Sequence, residues 1–443
     1  MANSILIEEI QRGKEEEGRN SQVIRRLTPT VCPTQYRPCL LCTEPMTQLE
    51  SRRPEVALPT CGVAPRRIPE LDGIRGTAII LVIGCHYEVF AHQFWGLPKF
   101  GWIGVDIFFV LSGFLITSVL LNLRGRADSF GSFYSRRFRR ILPPYILMFV
   151  VMGLASAFMS DYTLFSTEQM MKNLFFWQSV WFAPVFHAFG LGTWHHPAAL
   201  HNSARGLIGG ISAATVVLWS LSVEEYFYLL WAPVVLCLNR KWLVVTGITI
   251  CFTALVFRCF FFIGVATCES LFHRFDTLIY GAFVALLVSS QVSRKLLQRI
   301  FVTSGCVGFV TMAAVLLPMP HIVHKEIRED HLFMVFGLLA LSLMSACVVG
   351  LSVMHSGSKP LFFLRWSPLR FIGTISYSLY LFHGLVYLCF LQFCQPTWAM
   401  ALVALVISIG LSWLSFRYIE TPLLARTSVK ALVTAQLEAA LVN

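Results

Sequence analysis

The amino-acid sequence predicts an all-α, polytopic integral membrane protein. Hydrophobic residues make up 56% of the 443 residues, charged residues only 13%, and the mean hydropathy is +0.66. A soluble domain carries about 25% charged residues, so this chain is too apolar for a large soluble enzyme. The net charge of +11 does not indicate nucleic acid, because most basic residues flank predicted membrane spans, where Lys and Arg fix the orientation.

The chain divides into three predicted segments. Residues 1–67 are polar, with charge runs and no sustained apolar period, so we expect a disordered N-terminal extension. Residues 68–424 contain the apolar segments and form the predicted membrane domain, and residues 425–443 form a short cytoplasmic tail.

About ten apolar segments within the membrane domain are near the ~20 residues that cross a bilayer. The predicted spans are 77–95, 101–121, 141–160, 222–238, 243–263, 273–290, 301–319, 332–353, 368–391 and 397–416. Residues 207–219 are apolar but too short to cross, so we interpret them as an interfacial or re-entrant segment that leads into the fourth span. Seventeen Lys and Arg fall on one side and six on the other, which predicts two cytoplasmic termini and a multi-pass location in the cell membrane.

Ionisable residues inside these spans are functional candidates, because a charge is energetically unfavourable in a bilayer. Arg75 lies at the inner mouth of the first span, and His86 is ~16 Å further along the helix, toward the outside. Asp106, Glu224 and Glu225 begin later spans from the outer side. Simpler alternatives remain: His86 makes one interhelical hydrogen bond, and the two glutamates cap a helix.

Further charged residues gather at fixed depths. The run Arg136–Arg140 lies on the predicted inner face, where it binds phosphates or only fixes topology beside anionic lipid. Arg274 and Asp276 open the sixth span, and pairing with each other is their simplest explanation. His383 falls in the outer half of the ninth span.

No metal site is predicted. The thirteen cysteines form no paired framework, and the Cys39–Cys42 spacing lacks a matching second pair. The long outer loop, about 160–206, contains four histidines without the spacing of a metal site, so we expect it to face the substrate. These are His187, His195, His196 and His201.

Six motifs occur in a fixed order along the chain. They are Leu71–Gly76 followed by His86, Asp106–Phe114, Phe133–Pro143, Trp219–Glu225, Ile375–His383 and Tyr418–Pro422. In these motifs the chain resembles membrane-bound acyltransferase family 3, whose members modify cell-surface polysaccharides or macrolides. The resemblance covers about residues 67–424 and includes the Arg and His separated by ten residues, here Arg75 and His86.

The resemblance implies an acyltransferase of the EC 2.3.1 type. It would move an acyl group, most simply acetyl, from acyl-CoA to a hydroxyl of a cell-surface carbohydrate or small hydroxylated acceptor. Acetyl-CoA would be a co-substrate, with no bound cofactor, and membrane lipids would surround the domain. The resemblance also implies a catalytic role for His86 and a donor-binding role for Arg75.

The residue types support that chemistry. Arg137 and Arg140, together with Arg75, offer bidentate donors suited to the phosphates of acyl-CoA. A hydroxyl acceptor must lose its proton as it attacks the thioester, and a neutral imidazole such as His86 is the usual base near neutral pH. Direct transfer and an acyl-histidine intermediate both remain open.

Carboxylates and hydroxyls complete the predicted site. Glu224 or Asp106 would orient the imidazole of His86 or stabilise its charged form, as the carboxylate does in catalytic triads. Four further residues are predicted to hold the acceptor, polarise the thioester carbonyl or support the site: Ser112, Glu225, Tyr380 and His383.

A second class of function uses the same residues. A transporter or carrier would line a path for a sugar or an anion with them. The sequence shows no inverted repeat of broken spans, which such carriers often have. The spacing of Arg75 and His86, with the arginines of 136–140, favours the enzyme.

Overall fold

The computed structural model describes residues 68–87, 97–158, 176, 218–261, 269–318, 330–395 and 397–424. The predicted extension 1–67, the tail 425–443, the stretch 207–217 and nearly all of the outer loop, including its four histidines, lie outside these residues. The predicted domain boundaries therefore stay predictions.

Helices account for the regular structure in the described part of the chain, and no strand occurs there, so the all-α prediction is confirmed for it. The α-helices are α1 (Pro69–His86), α2 (Ile103–Leu123), α3 (Ser129–Phe158), α4 (Leu218–Cys237), α5 (Arg240–Phe260), α6 (Leu271–Val288), α7 (Arg294–Leu316), α8 (Leu338–Met354), α9 (Ser367–Thr374), α10 (Ser376–Phe393) and α11 (Trp398–Ser415). Single 3₁₀ or π turns precede α2, α8 and α9 and follow α11.

Six described helices are long and apolar enough to cross a membrane: Phe100–Leu123, Arg240–Phe260, Leu271–Val288, Arg294–Leu316, Phe333–Met354 and Trp398–Leu424. A seventh span results if α9 and α10, which meet at a 77° bend, cross together. Helices α1, α3 and α4 fall outside this set, and each carries charged residues: two acids and an arginine in α1, four arginines in α3 and two glutamates in α4. The total of about ten spans and the side of each terminus stay predictions.

The helices that expose most apolar surface are α5 and α7. Each has a broad face of large hydrophobic side chains turned away from the rest of the bundle, including Ile248, Phe252, Phe309 and Val310. In water such a face would be a strong aggregation site, whereas in a bilayer it is the surface that contacts lipid. These two helices therefore lie at the periphery of the membrane domain.

Helices α2 and α6 pack backbone to backbone at the centre of the bundle. A Cβ atom added at Gly113 would overlap the carbonyl oxygen of Leu278, and one added at Gly281 would overlap that of Val110. Small residues allow such close approach between membrane helices.

We expect Gly281→Ala to lower the free energy of unfolding by about 1 to 3 kcal/mol, because the new methyl group meets backbone that cannot move aside. Gly410→Ala on α11 is the matched control, since a Cβ there meets nothing within 4 Å. The thermal unfolding midpoint of each variant in detergent tests this. Equal midpoints for the two variants would contradict the close α2–α6 contact.

The beginning of α1 is fixed by a buried carboxylate. Glu70 accepts hydrogen bonds from the Ser356 hydroxyl and the Gly357 amide, both at 2.8 Å, and lies 3.6 Å from Arg365 Nε. A fully buried carboxylate requires such partners. The contacts anchor α1 to the connection after α8 and so fix the position of Arg75, five residues later.

Candidate active site

A cavity lies among α1, α2, α3, α4 and α10. Its lining combines basic, hydroxyl and aromatic side chains from five separate parts of the sequence. The lining residues are Arg75, Val105, Phe108, Phe109, Ser112, Arg137, Arg140, Ile141, Ser220, Leu221, Glu224, Tyr228, Ser376, Tyr377 and Tyr380.

Helical spacing explains which arginines reach the cavity. Arg137 and Arg140 are three residues apart on α3, so they share one face, and both line the cavity. Arg136 and Phe138 are on other faces of the same helix and are exposed. The basic run therefore has two parts, one turned into the bundle and one turned away from it.

The cavity is positively charged. Arg75, Arg137 and Arg140 face a single lining carboxylate, that of Glu224, which leaves a formal charge of +2. None of the three arginines belongs to the ion pairs that the described residues form. The Nε atom of Arg75 is buried without a hydrogen-bond partner within the described chain. A buried cationic donor without a partner, in a cavity with two further arginines, fits an anionic ligand.

Aromatic side chains support the cationic groups. The guanidinium carbon of Arg137 lies 5.9 Å from the centre of the Phe133 ring and 5.6 Å from that of Tyr228. Such cation–π contacts stabilise a cation without using its hydrogen-bond donors. Arg137 thus keeps its N–H groups for a ligand.

Glu224 is held by two hydroxyl groups. Ser112 donates a hydrogen bond of 2.9 Å to Oε1, and Tyr228 donates one of 2.8 Å to Oε2. Glu224 therefore links α2 and α4 across the cavity wall, and His86 has a different partner. The neighbouring Glu225 does not line the cavity, and its Oε1 atom is buried without a hydrogen-bond partner among the described residues.

Tyr380 forms the wall between the cavity and two histidines. Its hydroxyl lies 2.5 Å from the Ser220 hydroxyl, and its ring centre is 5.8 Å from that of His383 and 6.5 Å from that of Phe108. One side of Tyr380 lines the cavity while the other contacts His383. The residue thus connects the two parts of the site.

His86 contacts His383. The Nδ1 atom of His86 is 3.1 Å from Nε2 of His383, and the ring centres are 5.2 Å apart. His86, the last residue of α1, is exposed, whereas His383 is fully buried. Glu224 and Asp106 bind other groups in this structure, while the described contact to the imidazole comes from a second histidine, so a carboxylate that orients His86 stays a prediction.

The cavity and the histidine pair lie along one seam between α1 and α10. Arg75 and His86 are eleven residues apart, about three helical turns, so they share a face of α1. Ser376, Tyr380 and His383 share a face of α10 in the same way. The basic cavity is therefore at one end of the seam and the exposed imidazole at the other, ~16 Å further along α1.

Asp106 belongs to a separate buried cluster. It accepts a 2.7 Å hydrogen bond from Arg274, while Asp276 binds Arg258 at 3.2 and 2.6 Å. The expected pairing of Arg274 with Asp276 is therefore wrong, since each acid pairs with an arginine that the sequence places further away. The Arg274 guanidinium also lies over the ring of Phe109, at 5.5 Å, and Arg274 itself does not line the cavity.

This geometry makes Asp106 structural, so Asp106→Ala should destabilise the protein by about 3 to 5 kcal/mol by leaving Arg274 buried and unpaired. The wild-type protein and the Arg274→Met variant, which leaves Asp106 unpaired instead, are the comparisons. Unfolding midpoints in detergent measure the difference, and the double variant Asp106→Ala/Arg274→Met should regain part of the loss. A stable but inactive Asp106→Ala protein would restore the catalytic assignment.

The structure thus brings together most of the predicted site residues. Arg75, Arg137, Arg140, Ser112, Glu224 and Tyr380 line one cavity, and His86 and His383 form an adjoining pair. Asp106 and Glu225 are outside the cavity. The sequence analysis missed Tyr228 and Ser220, although both were detectable: Tyr228 is four residues after Glu224, and Ser220 lies within the Trp219–Glu225 motif.

Residues 68–417 match the sequence profile of the acyltransferase domain family. The chain belongs to this family. The match covers every side chain of the cavity and both histidines. As expected for this family and for its apolar helices, the acyltransferase-family chain is a multi-pass membrane protein.

Several bacterial proteins are similar to this acyltransferase-family chain. It is 28% identical over 392 residues to peptidoglycan O-acetyltransferase OatA of Listeria monocytogenes, covering 80% of this chain and 56% of that protein. It is 28% identical over 379 residues to the putative peptidoglycan O-acetyltransferase YrhL of Bacillus subtilis, covering 81% and 55%. With O-acetyltransferase OatA of Staphylococcus aureus it shares 26% identity over 387 residues, covering 81% and 58%.

The matched region spans a little over half the length of these relatives. No solved structure is significantly similar to the chain. The family membership therefore rests on sequence, and the arrangement of the site on the geometry described above.

Proposed function

We propose that the protein is a membrane-bound O-acyltransferase that moves an acyl group, most simply acetyl, from acyl-CoA to a carbohydrate hydroxyl. The observation that carries this proposal is the seam between α1 and α10. It joins a cavity lined by three arginines, none of them ion-paired to another described residue, to an exposed histidine held by a second histidine. An anionic acyl donor fits the arginine-lined end, and His86 at the other end fits the role of a general base.

The donor end is the arginine-lined cavity. Acyl-CoA carries several phosphate groups, and guanidinium groups bind phosphate oxygens in pairs with good geometry. Arg75, Arg137 and Arg140 have no carboxylate at ion-pair distance within the described chain. The phosphates would supply the negative charge, and the pantetheine arm would extend past Tyr380 toward the histidines.

His86 is at the end of the seam where the acyl transfer would take place. As the acceptor oxygen attacks the thioester carbonyl, a new C–O bond forms and the hydroxyl proton moves to the imidazole. The C–S bond then breaks, and the proton passes from the imidazolium to the departing thiolate of CoA. The ester, free CoA and neutral His86 are the products, so the residue returns to its starting state without an external acid or base.

The acceptor class follows from the relatives. Two of them are named as peptidoglycan O-acetyltransferases and a third as an O-acetyltransferase, so we propose a hydroxyl of peptidoglycan or a similar cell-surface carbohydrate as the acceptor. The exposed position of His86 suits a large acceptor that approaches from outside the bundle. The transporter alternative is not favoured, because the matched family consists of acyltransferases.

Thiol release from acetyl-CoA by the purified protein tests the proposal. We expect release above that of a buffer control, and faster release when soluble peptidoglycan fragments are added. The added fragments should gain an acetyl ester that mass spectrometry detects. If folded, correctly inserted protein gives neither thiol release nor ester formation, the proposed function is contradicted.

We further propose that the two substrates reach the seam from opposite faces of the membrane, since its ends are ~16 Å apart along α1 and the charge bias predicts that the Arg75 end is cytoplasmic. In sealed vesicles of known orientation, acetyl-CoA at the Arg75 side should acetylate an impermeant sugar at the His86 side. Transfer that occurs only with both substrates on one side would contradict this arrangement and leave the acyltransferase proposal intact. A detergent-permeabilised sample serves as the control for total activity.

A further inference from the structure

We propose that His383 is a positioning residue that fixes the tautomer of His86, so that the proton sits on Nδ1 and Nε2 is the basic nitrogen. The inference rests on the proposed function, because it assigns the atom of His86 that takes the proton from the acceptor hydroxyl. It stands on three hydrogen-bond contacts of His383.

The hydrogen-bond partners of His383 determine its own tautomer. Its Nδ1 atom lies 3.0 Å from the carbonyl oxygen of Leu379 and 2.9 Å from that of Tyr380. A carbonyl oxygen only accepts, so Nδ1 must carry the hydrogen. A neutral imidazole has one N–H, which leaves Nε2 of His383 as an acceptor.

The contact between the two rings then determines the tautomer of His86. The Nε2 atom of His383 is 3.1 Å from Nδ1 of His86. Because His383 accepts at this atom, His86 must donate from Nδ1. The lone pair of a neutral His86 is therefore on Nε2, the nitrogen on the opposite edge of the ring.

The surrounding structure holds this pair in place. The Tyr87 hydroxyl donates a 3.3 Å hydrogen bond to the backbone oxygen of His383 and lies 3.3 Å from the Ser408 hydroxyl. The Tyr87 ring stacks on Tyr387, with centres 4.2 Å apart. Since Tyr87 directly follows His86, the end of α1 contacts α10 through two neighbouring residues. These contacts limit rotation of either imidazole.

A neutral orienting partner has a specific consequence. In a serine-protease triad the orienting group is a carboxylate, which also stabilises the imidazolium through its charge. Here the imidazolium formed during the reaction keeps its Nδ1–H bond to a neutral nitrogen. His383 therefore contributes orientation and tautomer without an added negative charge.

Two amide variants separate an acceptor role from a packing role. In His383→Gln the side-chain carbonyl reaches the position of Nε2 and accepts from His86, whereas in His383→Asn the amide reaches only the position of Nδ1. We expect kcat for transfer from acetyl-CoA to fall about 10- to 100-fold in the Asn variant and to stay within about threefold of wild type in the Gln variant. The KM for acetyl-CoA should be unchanged in both, because the arginine-lined cavity is intact.

Each outcome is decisive when the wild-type protein transfers acetyl groups. Equal kcat for the Gln and Asn variants, or a change confined to KM, would overturn the inference. If the Asn variant does not accumulate in the membrane, His383→Met replaces it, because Met is similar in size to Gln and has no oxygen acceptor. A wild-type protein without any transfer or thiol release contradicts the proposed function itself, which keeps the two failures distinguishable.

Discussion

His86→Ala should lower acyl transfer by a factor of about 10² to 10⁴, the range that general-base catalysis contributes. The residue is exposed at the end of α1, so removal of its ring leaves no large cavity and the protein should fold and insert normally. Initial rates of acetyl-ester formation, normalised to folded protein in detergent, measure the loss. Binding of CoA should be nearly unchanged, because His86 does not line the arginine-rich cavity.

His355→Ala is the matched control for this experiment. His355 follows α8, is partly exposed, and contacts the carbonyl oxygen of Leu351 one turn earlier. Its loss should leave transfer unaffected. Full activity of His86→Ala at normal membrane abundance would reject His86 as the base and leave the histidine pair as an interhelical contact.

Arg137→Gln should weaken CoA binding about 10- to 100-fold, the effect of losing a charge-assisted hydrogen bond of about 1.5 to 3 kcal/mol. Arg140→Gln should act similarly, since both side chains line the cavity. The neighbouring Arg136 supplies a control on the same helix: it is exposed and hydrogen bonds to Ser132, so Arg136→Gln should leave the dissociation constant unchanged.

Direct CoA-binding measurements on the purified variants, together with a C-terminal tag to map orientation, test this assignment. An equal loss in all three variants would indicate general charge attraction rather than a defined site. Arg137→Lys refines the result, because Lys keeps the charge and loses the bidentate geometry. Wild-type affinity in the Lys variant would show that geometry at this position is unimportant.

Helical periodicity explains why so much of the candidate site was predictable. The ten residues between Arg75 and His86 bring both to one face of a helix, and the spacing of Arg137 and Arg140 does the same on α3. Side chains on one helix face stay together whatever the helix packs against. The predicted grouping of these residues is therefore also found in the structure. The all-α class was predictable for an equally simple reason, since a bilayer admits few other structures.

Contacts between distant helices were not predictable from one sequence. The partner of His86 is His383, 297 residues away, and the partner of Asp106 is Arg274, 168 residues away. Nothing in the local pattern distinguishes Asp276 from Asp106 as a partner for Arg274. Only the packing of α2 on α6, at Gly113 and Gly281, decides between them.

The distance in sequence between Asp106 and Arg274 also affects how the protein is made. Ribosomes add about 5 to 20 residues per second, so the 168 residues between the two take roughly 8 to 34 s to synthesise. During that interval α2 exists with its carboxylate uncompensated, and protonation, water or the insertion machinery must shelter it. The ion pair therefore couples the final placement of α2 to the arrival of α6, and the arginine-lined cavity forms late in biogenesis, after the chain beyond residue 274 has entered the membrane.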